Sequence, residues 1–98
     1  MRNLSGKESC ILSLLLERGE LFGLELVDKS EGELKRGTVY VTLSRMEEKG
    51  LVVGRVETDA APHPGLPRRL FRATALGARM VEAQRAFEMI AKPGAVRA

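Results

Sequence analysis

Residues 37–46 read Gly37-Thr38-Val39-Tyr40-Val41-Thr42-Leu43-Ser44-Arg45-Met46, and the fold depends on this segment. Val39, Leu43 and Met46 are spaced as neighbours on one face of an α-helix. This spacing predicts a helix that opens at Thr38 and ends at Gly50, with the three apolar side chains turned toward a core. Small and polar side chains would occupy the opposite face.

A shorter helix is predicted just before this segment, over residues 23–30, where Leu24 and Val27 lie one turn apart. Glu31-Gly32-Glu33 separates the two helices as a turn. Two helices joined by a tight turn that contains glycine are the signature of a helix-turn-helix. The sequence therefore predicts this motif at residues 23–50.

The region before this motif begins with Ser5-Gly6-Lys7-Glu8, which has the spacing of a capping box. A first helix is predicted from Ser5 to Arg18, and Gly19 supplies its stop. Glu20-Leu21-Phe22 has room for a connector or for a minimal bridging strand, and the sequence leaves both open.

The region after the motif predicts a β-hairpin followed by a helix. Residues 51–58 are rich in β-branched side chains, residues 59–67 hold three prolines and a glycine, and residues 69–73 form a second strand. Thr74 would cap a final helix that runs to about Ala91. The fold class is therefore mainly α with a β-hairpin wing, a winged helix-turn-helix in a single domain over residues 1–98.

The final helix carries a heptad seam that predicts dimerisation. Its apolar residues are spaced four, three, four and three: Leu76, Met80, Ala83, Phe87 and Ile90. Two heptads are too short to hold two chains together, so residues 74–91 would add to an interface built with the first helix. A homodimer would also stabilise the small core of a 98-residue chain.

The charge and the cysteine and histidine content limit the kinds of function that this chain can have. The net charge is +3, and Arg68, Arg69 and Arg72 form a basic cluster. One cysteine and one histidine give no disulfide and no His-based metal set, so we expect no metal and no cofactor. The sequence contains no recognisable catalytic motif, so we do not expect the protein to be an enzyme. The single cysteine indicates a reducing, cytoplasmic setting. No apolar run would span a bilayer or serve as a secretory signal, so no membrane partner is expected.

Four runs resemble, in order and spacing, the motifs of the PadR family of transcriptional regulators: Phe22-Gly23-Leu24-Glu25-Leu26, Gly37-Thr38-Val39-Tyr40, Lys49-Gly50-Leu51-Val52 and Pro67-Arg68-Arg69-Leu70-Phe71-Arg72-Ala73-Thr74-Ala75-Leu76-Gly77. The resemblance covers residues 4–91, and the short final helix is similar to the family's branch with a small C-terminal part. It implies a sequence-specific regulator, a repressor that binds a near-palindromic operator in double-stranded DNA as a homodimer.

If the third helix lies in the major groove, the face opposite its apolar stripe would meet the bases. That face carries Gly37, Thr38, Val41, Ser44 and Arg45. Thr38 has a second interpretation as a simple N-cap, and Val41 is suited to a thymine methyl group.

The remaining candidate residues are predicted to contact the DNA backbone. Lys35 and Arg36 precede the helix, whose N-terminus favours anions. For Tyr40 the resemblance implies a backbone contact, and half-buried packing is the alternative. Arg68 and Arg69 would lie on the wing, against phosphate or the minor groove, or else form a solvated basic surface.

A second function from another class stays open: a winged-helix module that binds protein and not DNA. The positive charges around the third helix and wing favour DNA, and Glu47 and Glu48 come late on that helix, where they would point away from the groove. The sequence does not tell whether a small-molecule effector exists.

Overall fold

The computed structural model describes residues 4–57 and 68–91, in which the elements follow the predicted order. These elements are α1 (Gly6–Arg18), β1 (Leu21–Phe22), α2 (Gly23–Lys29), α3 (Arg36–Glu48), β2 (Val52–Val56), β3 (Arg69–Ala73) and α4 (Ala75–Ala91). The mainly helical architecture with a small antiparallel wing confirms the predicted winged helix. The predicted loop at residues 59–67 lies outside the described residues.

Local signals at both ends of α1 are confirmed. The Ser5 N–H donates to Glu8 Oε1 at 2.9 Å, and the Glu8 N–H donates to Ser5 Oγ at 3.2 Å, which completes the capping box. Gly19 ends the helix with φ of 97°, a backbone conformation that favours glycine. Its N–H donates to the Leu15 carbonyl oxygen at 2.7 Å.

The core lies between the helices and one face of the sheet. Its buried apolar members come from every element: Leu4, Ile11, Leu12, Leu15, Leu21, Leu26, Leu34, Val39, Leu43, Met46, Leu51, Val52, Phe71 and Val81. The predicted helix α2 is present, and its buried apolar side chain is Leu26, whereas Leu24 is 45% exposed. Glu25 Oε1 accepts the Phe22 N–H at 2.8 Å and so satisfies a backbone donor at the start of this helix.

The sheet has the strand order β1-β3-β2 with antiparallel pairs. Leu21 and Gly54 flank Phe71 on either side, and Phe71 is fully buried at the centre of the sheet. Of the two interpretations of residues 20–22, the bridging strand is confirmed.

The start of α3 differs from the prediction. The helix begins at Arg36 with Lys35 as its N-cap, two residues before Thr38, so the interpretation of Thr38 as an N-cap is wrong. The Ser30 hydroxyl oxygen accepts the Leu34 N–H at 3.0 Å, and Leu34 is buried. The burial of Leu34 and its hydrogen bond to Ser30 fix the end of the turn at residue 34. The helix can therefore begin at Arg36 and does not need a cap at Thr38.

Thr74 and Gly77 position the start of α4. The Thr74 hydroxyl donates to the Gly50 carbonyl oxygen at 2.6 Å and accepts the Gly77 N–H at 3.0 Å, which confirms the predicted cap. A Cβ on Gly77 would lie 2.3 Å from the Leu51 carbonyl oxygen, so the helix and the chain before β2 are in direct backbone contact. None of the helices in the described residues is long and apolar enough to span a bilayer.

Candidate nucleic-acid interface

The two faces of α3 have opposite character. Val39, Leu43 and Met46 are buried, as predicted. The other side of the helix exposes the residues predicted to meet bases: Gly37, Thr38, Val41, Ser44 and Arg45. We call this set the recognition face. It combines hydroxyl and guanidinium donors with the apolar surface of Val41, which is 52% exposed.

Two cations stand at the N-terminal end of this helix. Lys35 is the N-cap and Arg36 is the first helical residue, and both side chains are exposed. The first turn carries no acidic residue. Free backbone N–H groups and the helix dipole make such an end favourable for an anion, and the two cations add to that field.

Tyr40 packs on one side and is accessible on the other. A Cβ placed on Gly23 would lie 2.6 Å from Tyr40 Cε1, so the ring rests against the first residue of α2, where glycine leaves the space. Half of the tyrosine surface remains exposed. The geometry therefore accommodates both the packing role and a contact with a partner.

Arg69 of the wing is held by α3. Its Nη2 donates to Glu47 Oε2 at 2.8 Å and its Nη1 donates to Glu47 Oε1 at 3.3 Å. Glu47 Oε2 also accepts the Gly54 N–H at 3.2 Å, and the Arg69 guanidinium carbon lies 5.0 Å from the centroid of the Phe71 ring. Glu47 thus joins the end of α3 to both long strands of the wing, through contacts that no local sequence pattern predicts.

Arg68 is less tightly held than its neighbour. Its Nη2 lies 3.4 Å from Glu57 Oε1, and its guanidinium carbon lies 4.3 Å from the centroid of the Phe22 ring. More than half of the Arg68 side chain is exposed. An exposed ion pair of this length contributes little to stability, so Arg68 is only weakly held by Glu57.

The same outer face of the sheet carries a second ion pair. Arg55 donates two hydrogen bonds of 2.9 Å to Glu20, and these lower the pKa of that carboxyl. Arg72 lies exposed nearby and lowers it further. This face is therefore a mixed surface of both signs and not a purely basic one.

An ion pair links α1 to the residue that ends α3. Lys49 Nζ donates to Glu8 Oε2 at 2.6 Å, and Glu8 is buried. Burial raises the pKa of Glu8, but the hydrogen bonds from Lys49 and Ser5 together lower it more, so it lies below its ordinary value of 4.5. The two residues are 41 positions apart, so no local pattern could have indicated this pair.

The predicted seam on α4 lies largely at the surface. Leu76, Phe87 and Ile90 are 39%, 62% and 72% exposed, Ala83 is exposed, and Met80 packs partly against the core. The helix turns Gly77 and Val81 inward instead. Within residues 4–57 and 68–91 these apolar side chains are left largely uncovered, and the role of the seam in dimerisation stays a prediction.

Cys10 is the cysteine of the chain, and it is partly buried on α1. Burial, and to a smaller extent Glu33, raises the pKa of the Cys10 thiol, which keeps it protonated and weakly reactive at neutral pH. No three His, Cys, Asp or Glu side chains among residues 4–57 and 68–91 are grouped to hold a metal ion.

A family model described as the transcriptional regulator PadR-like family matches residues 11–83. A PadR family transcription regulator from Clostridium difficile R20291 is 25% identical, with a TM-score of 0.74 over 90% of this chain and 92% of that one.

Two further solved structures establish the fold. A PadR family regulator from Eggerthella lenta is 24% identical, with a TM-score of 0.69 over 85% of this chain and 71% of that one. The Bacillus subtilis PadR, in complex with operator DNA, is 20% identical, with a TM-score of 0.66 over 80% of this chain and 45% of that one. No curated protein has a significant match to the sequence.

Proposed function

The chain belongs to the PadR-like family of transcriptional regulators, and on this premise we propose that it is a repressor that binds a near-palindromic operator as a homodimer. A dimer on an operator hinders transcription simply by occupying the DNA, so no further activity needs to be assumed.

The observation that carries this proposal is the recognition face of α3. A helix that buries Val39, Leu43 and Met46 against its own domain presents Thr38, Ser44 and Arg45 outward together. The major groove is wide enough for one α-helix, and hydroxyl and guanidinium groups can hydrogen-bond to its base edges. Val41 adds an apolar group that suits a thymine methyl.

Other candidate residues would position the protein on the DNA backbone. Lys35, Arg36 and Tyr40 lie around the N-terminal half of α3, and Arg68 can exchange Glu57 for a phosphate. Arg69 can contact DNA without leaving Glu47, because a guanidinium has five N–H donors and Glu47 takes two of them. Contacts of this kind set affinity and register more than sequence preference.

A homodimer would impose symmetry on the site. Two identical recognition helices related by a two-fold axis read matching half-sites, so we expect a near-palindrome with centres about one helical turn apart, or a multiple of it. The exposed seam of α4 and the exposed Leu16 of α1 provide apolar surface for this association.

The test begins with duplexes selected from a random pool and compares them with scrambled duplexes at two salt concentrations. Alanine at Thr38, Val41 or Ser44 should weaken the selected duplex by about 1–3 kcal/mol where a base contact is lost, with little effect on scrambled DNA. Arg68→Ala should weaken both duplexes equally and reduce the slope of log affinity against log salt by about one per subunit.

Two outcomes would contradict the proposal. If the wild-type protein binds no duplex at low salt, the protein-binding module becomes the better interpretation. If Arg68→Ala removes the sequence preference while the α3 variants lose only general affinity, the roles of helix and wing are reversed.

A further inference from the structure

A cleft of about 620 Å³ opens between the N-terminal turn of α1 and the exposed side of α3. Its lining includes three cations, one carboxylate and two threonines: Lys7, Arg45, Lys49, Glu8, Thr38 and Thr42. None of the DNA contacts proposed above involves α1. The cleft nevertheless shares Thr38, Val41 and Arg45 with the recognition face, so whatever meets that face also meets the cleft.

The electrostatics of this cleft favour an anion. Its only carboxylate among the lining residues is Glu8, which is already paired with Lys49 at 2.6 Å. The positive charges of Lys7 and Arg45 are therefore left in excess. Both of these side chains are exposed.

The position of Lys7 is unfavourable for the helix that carries it. Lys7 lies in the first turn of α1, where the helix dipole disfavours a cation. A residue in the first turn that gained stability from the dipole would be acidic, as Glu8 is. A negatively charged partner would attract the Lys7 ammonium group and so offset its unfavourable interaction with the helix dipole.

We propose that this cleft holds the sugar-phosphate backbone of the DNA strand beside the major groove in which α3 lies, and that Lys7 contacts a phosphate. This proposal rests on the proposed function. A helix in the major groove has a phosphate backbone along each flank, and α1 packs beside α3. The first helix thereby becomes a third DNA-contacting element, in addition to the helix-turn-helix and the wing.

Lys7→Gln and Arg18→Gln test this proposal as a matched pair. Both remove one exposed cation from α1, but Arg18 lies in the last turn, about 16 Å further along the axis. Each variant is compared with the wild type for affinity to the selected and scrambled duplexes, and for melting temperature. Lys7→Arg serves as the conservative variant.

Lys7→Gln should weaken both duplexes by the same factor and leave the sequence preference unchanged. The ratio of wild-type affinity to variant affinity should be larger at about 50 mM salt than at about 200 mM salt. The difference should be about 3.5-fold per subunit, the change expected for one lost phosphate contact. The melting temperature should stay the same or rise, because a cation leaves the N-terminal turn. Lys7→Arg should restore affinity, and Arg18→Gln should leave it unchanged.

The proposal is overturned if the wild type binds DNA and Lys7→Gln binds with the same affinity and salt slope. It is also overturned if Lys7→Gln loses sequence preference, or if Arg18→Gln weakens binding equally. If the wild type binds no duplex at all, the proposed function itself fails, and this result differs from each of the others.

Discussion

At Gly77 two backbones come so close that no side chain fits between them. A Cβ at this position would lie 2.3 Å from the Leu51 carbonyl oxygen and 2.8 Å from Leu12 Cδ2. The first of these atoms belongs to the backbone and cannot turn away. Helix propensity alone favours alanine over glycine at such a site, so local preference and tertiary packing oppose each other here.

Gly77→Ala should therefore destabilise the protein, by about 1–3 kcal/mol or more, the range for overpacked cores. Gly37→Ala is the matched control, because Gly37 is also helical and a Cβ there would meet nothing within 4 Å. The control should gain up to about 1 kcal/mol from helix propensity. Urea unfolding of both variants at one protein concentration measures the two changes. Equal effects of the same sign would show that the contact at Gly77 can relax.

At the scale of elements, the polar side-chain contacts described above that join α3 to its neighbours lie at its C-terminal end. The pair of Lys49 with Glu8 joins it to α1, and Glu47 joins it to Arg69 and Gly54 of the wing. The orientation of the recognition face therefore depends on these polar contacts as well as on the buried stripe.

Glu8→Gln tests the first of these contacts through its pH dependence. Because the pKa of Glu8 is lowered by folding, its contribution is present above the ordinary value of 4.5 and is lost as pH falls through the lower folded value. The variant should lose about 1–3 kcal/mol of unfolding free energy at neutral pH, and this difference should shrink progressively below pH 4.5.

Glu17→Gln provides the control for this experiment. Glu17 lies on the same helix, its side chain is 69% exposed, and its distance to Arg18 is 3.9 Å. We expect its effect to remain within about 0.5 kcal/mol at every pH. Denaturant unfolding across the acidic range measures both variants. A Glu8→Gln deficit that does not change with pH would mean that the carboxylate charge is not what stabilises the link.

The elements themselves could be predicted wherever the signal is local. The caps at Ser5 and Thr74 and the buried stripe of α3 depend on residues within one or two turns. The start of α3 lies two residues before the predicted position, because it depends on the burial of Leu34 and not on the capping preference of Thr38.

The candidate site likewise has a part that local sequence predicts and a part that depends on tertiary contacts. The recognition face follows from helical periodicity, so its exposed members could be named from the sequence. The pairing of Glu47 with Arg69 spans 22 positions, and the cleft beside Lys7 brings the first turn of α1 to α3. Contacts of this kind exist only after the chain has folded, and no spacing rule encodes them.

At the scale of the whole molecule, an apolar stripe on α4 has no partner among the described residues. Phe87 and Ile90 are 62% and 72% exposed, on the flank that faces away from Val81 and the core. Contiguous exposed apolar surface often marks a protein–protein interaction site.

Phe87→Glu should dissociate the proposed dimer, because it would place an unpaired charge in the seam. Met89→Glu is a closely matched control, since Met89 is also 62% exposed on α4 but does not belong to the seam. Light scattering gives the mass of each variant in solution. An unchanged dimer in Phe87→Glu, or equal dissociation in both, would contradict the seam as the interface.

The division of α3 into a buried stripe and an exposed face has an evolutionary consequence. Val39, Leu43 and Met46 maintain the fold, whereas Thr38, Val41 and Ser44 bury nothing that the core requires. Substitutions at the second set can accumulate in a duplicated gene while each intermediate variant still folds. One scaffold can then diverge toward many operators, with selection acting on DNA preference while stability stays nearly constant.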